Sequence, residues 1–175
     1  MASIIVREAH QEEAAAIARL MVASRTASRR GIYDDQYLEG LTAEDAEREL
    51  SRPPASPEVP RWVLVVESQA ELLGFARAEP WRESDSVSAS TVFLSHLYVH
   101  PEHFREGLGS VLIAAAAERL RGLGFHTLRT WVVADAHDAV RFYVATGWVR
   151  VGKRGHLILD RRRVIELFEL QLAAS

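Results

Sequence analysis

Three histidines, His96, His100 and His103, fall within eight residues and run into Gly107-Leu108-Gly109-Ser110. Imidazole is the commonest side-chain metal ligand, and a spacing of i, i+4 and i+7 would share one face of a helix. Pro101 follows His100 immediately, however, and His96 lies in the alternating, β-branched run Thr91–Val99, so that stretch is extended. At about 3.3 Å per residue, His96 and His100 would stand roughly 13 Å apart, too far to share one ion. We expect no metal here. The chain has no cysteine, which excludes disulfides, thiolate zinc sites and a cysteine nucleophile.

Anion binding is the second chemistry available. An apolar strand runs through a loop into Gly107-Leu108-Gly109-Ser110 and then a helix. The first turn of a helix has N–H groups without internal partners, and its dipole end is positive. Glycines let the backbone approach an anion closely. The segment lacks the Lys-Ser/Thr of a P-loop, and the third glycine and downstream acid of a dinucleotide fingerprint. On these residues alone, a pyrophosphate cradle and a plain strand-to-helix turn both stand.

The elements that must position these residues can be read from periodicity. Ser3–Glu8 reads as a first strand and 10–29 as a helix, with Ile17, Leu20, Met21 and Ser24 on one face. Residues 30–41 have turn chemistry around Gly31 and Asp34-Asp35. Thr42 with Asp45 three residues on resembles a capping box at the start of a second helix. Four prolines in residues 51–60 predict an irregular loop. Residues 61–68 and 71–81 form a hairpin about Gln69-Ala70, followed by a polar, serine-rich loop at 82–90. Then come a strand at 91–99, a helix at 107–123 closed by Gly124, a strand at 127–133, a short helix closed by Gly147, and two strands about the Asp160–Arg163 turn. Strand–helix–strand from 91 to 133 predicts a parallel pair with a right-handed crossover. The hairpins add antiparallel pairs. The fold expected is α/β: a mixed, mostly antiparallel sheet of about seven strands, with helices on both faces.

The 175 residues suit a single domain, 1–175. A hydrophobic fraction of 48%, a charged fraction of 26% and a net charge of −3 are ordinary for a globular protein and give no nucleic-acid footprint. No apolar run approaches the ~18–20 residues that cross a bilayer. The N-terminus lacks the basic-then-apolar pattern of a secretory signal. We expect a soluble, cytoplasmic protein with no membrane and no nucleic-acid partner; a homodimer is left open.

A second segment bears on the glycine turn. Ala136–Arg154 resembles the Asn-x-x-Ala-x-x-Phe-Tyr-x-x-x-Gly-Phe stretch of the GNAT superfamily, the acyl-CoA-dependent N-acyltransferases: Ala139, Phe142, Tyr143 and Gly147 match, and Trp148 stands for the aromatic. Leu97–Ile113 resembles that superfamily's cofactor motif, a strand ending Leu-Tyr-Val-x-Pro and then Gln/Arg-x-x-Gly-x-Gly/Ala at a helix start. The resemblance implies a GNAT-like sheet with the parallel pair 91–99 and 127–133 splayed into a V. Acetyl-CoA would be the co-substrate, its pantetheine along the backbone of Leu97, Tyr98 and Val99. Its pyrophosphate would lie over Phe104, Arg105, Glu106, Gly107, Leu108, Gly109 and Ser110, with Ala139 and Phe142 nearby. It implies that Tyr143 protonates the departing thiolate, while a small-molecule or peptide amine attacks the thioester directly in a ternary complex.

The sequence also departs from that pattern. Phe104 replaces the Gln/Arg of the first motif and Ala136 the Asn of the second. Arg105, or Asp135 and His137, are the available substitutes. Phe93 sits about where many relatives carry a glutamate base. His96 is then the candidate base, with Glu79 second; a packed strand histidine is the alternative. Tyr33, Tyr37, Glu79 and Trp81 would border the acceptor pocket. Two rival readings remain: a GNAT-fold CoA-binding protein with lost or altered catalysis, and an unrelated α/β nucleotide-binding protein.

Overall fold

The computed structural model describes residues 3–52, 61–83, 86–157 and 162–172. The expected proline-rich loop from residue 53 onward, and residues 160 and 161 of the expected final turn, lie outside them. Seven strands form one sheet in the order β1-β2-β3-β4-β5-β7-β6, with β1 Ile4–Glu8, β2 Trp62–Ser68, β3 Glu71–Glu83, β4 Ser86–Val99, β5 Thr127–Val133, β6 Val149–His156 and β7 Val164–Gln171. Each neighbouring pair is antiparallel except β4 and β5. The helices are α1 Ala14–Arg29, α2 Asp35–Glu39, α3 Ala43–Ser51, α4 Leu108–Gly122 and α5 His137–Ala145.

Two apolar layers sandwich the sheet. On one face Leu94, Leu128 and Phe168 pack with Leu108, Leu112 and Leu120 of α4, and with Phe142 and Tyr143 of α5. On the other, Val65 and Phe75 pack with Ile17, Leu20 and Met21 of α1 and Ala46 of α3. Local chemistry explains the element ends. Gln69 and Ala70 both take positive φ, 50° and 65°, the twist a two-residue hairpin requires. Gly147 at φ 90° closes α5, with Gly147 N–H donating to Val144 O at 3.1 Å and Trp148 N–H to Tyr143 O at 3.0 Å. That pair of bonds is a Schellman cap, and it turns Trp148 into the core at 2% exposure.

Three local expectations change. Residues 82–90, read as a loop, are mostly strand: β3 runs to Glu83 and β4 starts at Ser86. The serine and threonine content that suggested a loop also suits a paired strand with a solvated side. The 30–41 segment contains the short helix α2, capped by Asp34 Oδ1 accepting from Gln36 N–H at 2.9 Å. Thr42 does cap α3, accepting from Asp45 N–H at 3.1 Å, but Asp45 bonds the Thr42 hydroxyl at 2.8 Å rather than its backbone. Among the described residues no helix is long and apolar enough to cross a membrane.

Candidate functional site

The centre of the site is a fork. β4 and β5 pair at Thr91↔Thr127, Val92↔Leu128 and Phe93↔Arg129, and the pairing stops there. The cause is visible on the other side of β4. Arg77 of β3 sits opposite His96 while Ala78 sits opposite Leu94, so Ser95 is an extra residue, a bulge. It bends β4 away from β5 and leaves the β5-facing edge of Leu97 and Val99 outside the β4–β5 ladder. At the crotch, the Thr130 hydroxyl donates to the carbonyl of Leu94 at 2.9 Å, bridging the strands with a side chain where the ladder ends. The bulge also sets faces: Leu94 and Leu97 pack toward α4, His96 and Tyr98 toward α1.

At the mouth of the fork the chain makes a 3₁₀ turn at Pro101–His103 and enters α4. Arg105 has φ 67° and Gly107 has φ 83°. The first α4 bond is Val111 N–H to Gly107 O at 3.1 Å, so the amides of Leu108, Gly109 and Ser110 have no intrahelical acceptor. No side chain caps this end and no acid lies in its first turn. Glu106, just before it, is turned to His103 Nδ1 at 3.0 Å. Leu108 is 1% exposed and packs into the core, so Gly109 and Ser110 are the accessible residues of this first turn. Gly109 is a packing requirement: a Cβ would lie 3.0 Å from the Phe142 ring. Ala139 and Phe142 hold α5 against this layer. Phe104 is 38% exposed and Arg105 is exposed. Asp135 does not fill the place left by Ala136, because its carboxylate meets Arg163 at 2.8 Å.

Tyr143 approaches the fork from α5. Its ring packs edge-on against Phe142 at 5.3 Å and Trp148 at 5.2 Å. Burial pushes its phenol up to about 12, against a smaller lowering from the neighbouring Thr130 hydroxyl, so the phenol stays protonated.

His96 points toward α3 and not between the strands. It is 9% exposed, stacked on Phe75, with Nε2 3.0 Å from Glu49 Oε1 and Nδ1 2.9 Å from Ser95 Oγ. Hydrogen bonding from His96 and Arg25 lowers Glu49 to about 2, so it is ionised; burial lowers His96, so the ring is neutral. The Nε2 N–H then donates to the carboxylate, and Nδ1 lies beside the Ser95 hydroxyl, which also reaches Arg77 O at 3.3 Å. The three histidines are not gathered: His100 and His103 lie in the turn, their rings 6.2 Å apart.

Glu79 is engaged by Arg77 at 3.3 Å and Arg61 at 3.7 Å. Trp81 is buried between Phe93 and Arg129, and its indole N–H has no partner among the described residues. Tyr33 and Tyr37 stack at 5.5 Å above the end of α1. The sequence reading did not single out Ser95, Thr130 or Glu49. Only Thr130 and Ser95 had a signal, as hydroxyls on strands expected to splay.

The chain belongs to the acetyltransferase (GNAT) family, whose model matches residues 23–148. It is 27% identical over 110 residues to the L-amino acid N-acyltransferase MnaT of Escherichia coli K12, and 25% identical over 111 residues to the L-methionine sulfoximine/L-methionine sulfone acetyltransferase of Salmonella typhimurium LT2. Each match spans 63% of this chain and 63% of the relative. The fold is similar to that of the PaiA N-acetyltransferase of Thermoplasma acidophilum in complex with coenzyme A, with a TM-score of 0.74 at 20% identity, covering 97% of this chain and 99% of that one.

Proposed function

We propose that this single-domain protein transfers an acetyl group from acetyl-CoA to a primary amine by direct attack in a ternary complex. The observation that carries the reading is the fork at Leu94: an unpaired β4 edge, a helix start with free amides at its mouth, and a protonated Tyr143 behind it, in a chain of the GNAT family. Leu97, Tyr98 and Val99 would line the pantetheine arm. The pyrophosphate would lie over the backbone from Phe104 to Ser110. The oxyanion formed on attack needs a donor, and an N–H of the β4 edge beyond the bulge is positioned to supply it. A thiolate leaves more readily when protonated, which Tyr143 is held ready to do.

The attacking amine must be neutral. Ser95 is the bulge residue, and its hydroxyl lies 2.9 Å from His96 Nδ1 and 3.3 Å from Arg77 O, so a relay of the amine's proton through Ser95 to His96 requires the hydroxyl to turn from Arg77 to Nδ1, with Glu49 then holding the imidazolium. Glu79 is left out of this role by its two arginines. Tyr33, Tyr37 and Trp81 form the acceptor side.

Thermal shift with acetyl-CoA, CoA, ATP and NAD tests the reading, followed by free-thiol release across an amine panel. Stabilisation by acetyl-CoA and thiol release with an amine are expected. Stabilisation by ATP or NAD and none by acetyl-CoA would overturn it. Binding without turnover would instead favour a CoA-binding protein that has lost catalysis, for which Phe93, Phe104 and Ala136 are the motivation.

A further inference from the structure

α1 carries two arginines one turn apart on one face, Arg25 and Arg29. Their partners differ. Arg25 is filled: NH1 and NH2 each meet Glu49 at 3.1 Å, and Nε meets the Tyr98 hydroxyl at 3.2 Å. Arg61 and Arg77 share Glu79, and Arg129 has Glu169. Arg29 is half-buried and meets no carboxylate among the described residues. Its guanidinium donates to the Tyr33 hydroxyl at 3.2 Å and lies 5.3 Å from the centre of that ring. One of five N–H donors is thereby used.

Two acids of the surrounding loops are engaged elsewhere. Asp34, the nearest in sequence, caps α2. Asp135 is held by Arg163, which also donates to the carbonyl of Ile32 in the loop after α1. Arg29 therefore presents a fork of donors beside the Tyr33–Tyr37 stack, on the α1 side of the sheet. Arg163 ties that loop to Asp135, just past the end of β5, so Arg29 lies at the end of the sheet where β4 and β5 have parted. The helix start at Leu108–Ser110 belongs to α4, on the other face; the phosphates of the co-substrate have their own amides there.

Resting on the acetyl-transfer reading above, we propose that Arg29 binds a carboxylate on the acceptor, so that the amine acylated is a free amino acid rather than a peptide N-terminus or a simple amine. A guanidinium fork matches a carboxylate with two parallel bonds, which would aim the amine of the same molecule at the thioester. The flanking tyrosines exclude water and strengthen the pair.

The test compares L-methionine and L-phenylalanine with their amides and with 2-phenylethylamine, on wild type and on Arg29→Gln and Arg29→Lys. Free acids should exceed amides at least tenfold in kcat/KM. Arg29→Gln should abolish that preference by lowering only the acids, Arg29→Lys should restore part of it, and acetyl-CoA affinity should be unchanged in both. Equal use of acids and amides, preference for the amides, or no binding of any acid to the CoA-loaded protein would overturn the inference. So would a fall in acetyl-CoA affinity in Arg29→Gln, which would assign the arginine to the co-substrate. Failure of the wild type to bind acetyl-CoA would overturn the transferase reading, and this inference with it.

Discussion

Tyr143 and His96 are both surrounded by rings, and both titrations move, in opposite directions for one reason. Burial favours the neutral form, so the phenol rises to about 12 and the imidazole falls. A neutral phenol can donate and a neutral imidazole can accept, which is the division of labour the reaction asks for. Tyr143→Phe should lower kcat by about 10²-fold or more and leave acetyl-CoA affinity near wild type; unchanged turnover would remove Tyr143 as the acid. Thr130→Val should lower kcat through loss of the hydroxyl bridge to Leu94 O at the crotch of the fork, and Thr130→Ser should recover it. A serine variant as slow as the valine would mean that Thr130 acts through packing alone.

The His96 shift also has a stability consequence with a definite sign. Below about pH 6.5 the unfolded ring binds a proton and the folded ring does not, so stability falls as pH drops from there toward the folded value. Glu49, lowered to about 2, contributes fully above its unfolded value near 4.3 and loses that contribution progressively as pH falls from there to about 2. His96→Gln should flatten the melting-temperature slope below about pH 6.5. A slope as steep as wild type would show that other groups carry it.

At the scale of elements, the two glycines of the helix start do different jobs. Gly107 has open space around a Cβ but a φ of 83°, whereas Gly109 has no positive φ but a Phe142 ring 3.0 Å from where a Cβ would stand. Gly107→Ala should destabilise the fold by about 1–2 kcal/mol through left-handed strain, with a modest effect on binding. Gly109→Asp should weaken acetyl-CoA strongly, by displacing Phe142 and by setting a negative charge at the free amides. Acetyl-CoA titration beside thermal melts separates the two; intact affinity in a folded Gly109→Asp would sink the cradle. The Gly-x-Gly spacing was legible in the sequence, but the reason for each glycine was not. Backbone φ and the seat of a ring on α5 come from packing between elements far apart in the chain.

Taken as a whole molecule, the sheet is covered by α1 and α3 on one side and by α4 and α5 on the other, and the fork is where the two sides communicate. A ligand that fills this fork should stabilise the fold by mass action, by about 2.7 kcal/mol at a hundredfold excess over Kd. For a chain of this size that is a rise of roughly 5–10 °C in Tm. Element order, the parallel pair and both glycine-closed helices were written in local periodicity and turn chemistry. The loop at 82–90 was misread because serine-rich composition does not distinguish a solvated strand from a turn until its partner strand is known.

The sequence by itself determined the family, the strand-to-helix turn and the aromatic pair Phe142-Tyr143, because each is carried by residues close together in the chain. The tertiary structure alone decided what those residues face. The bulge at Ser95 places His96 on the side of Glu49 and Leu94 on the side of Tyr143, reversing what simple alternation along β4 would give. Thr130, thirty-six residues from Leu94, closes the crotch of the fork. Arg25 and Arg29 look alike on the helix, and only the packing of α3 gives Glu49 to one and leaves the other with a tyrosine. A carboxylate's partner is fixed by distances across the fold, and those are set by how the layers pack.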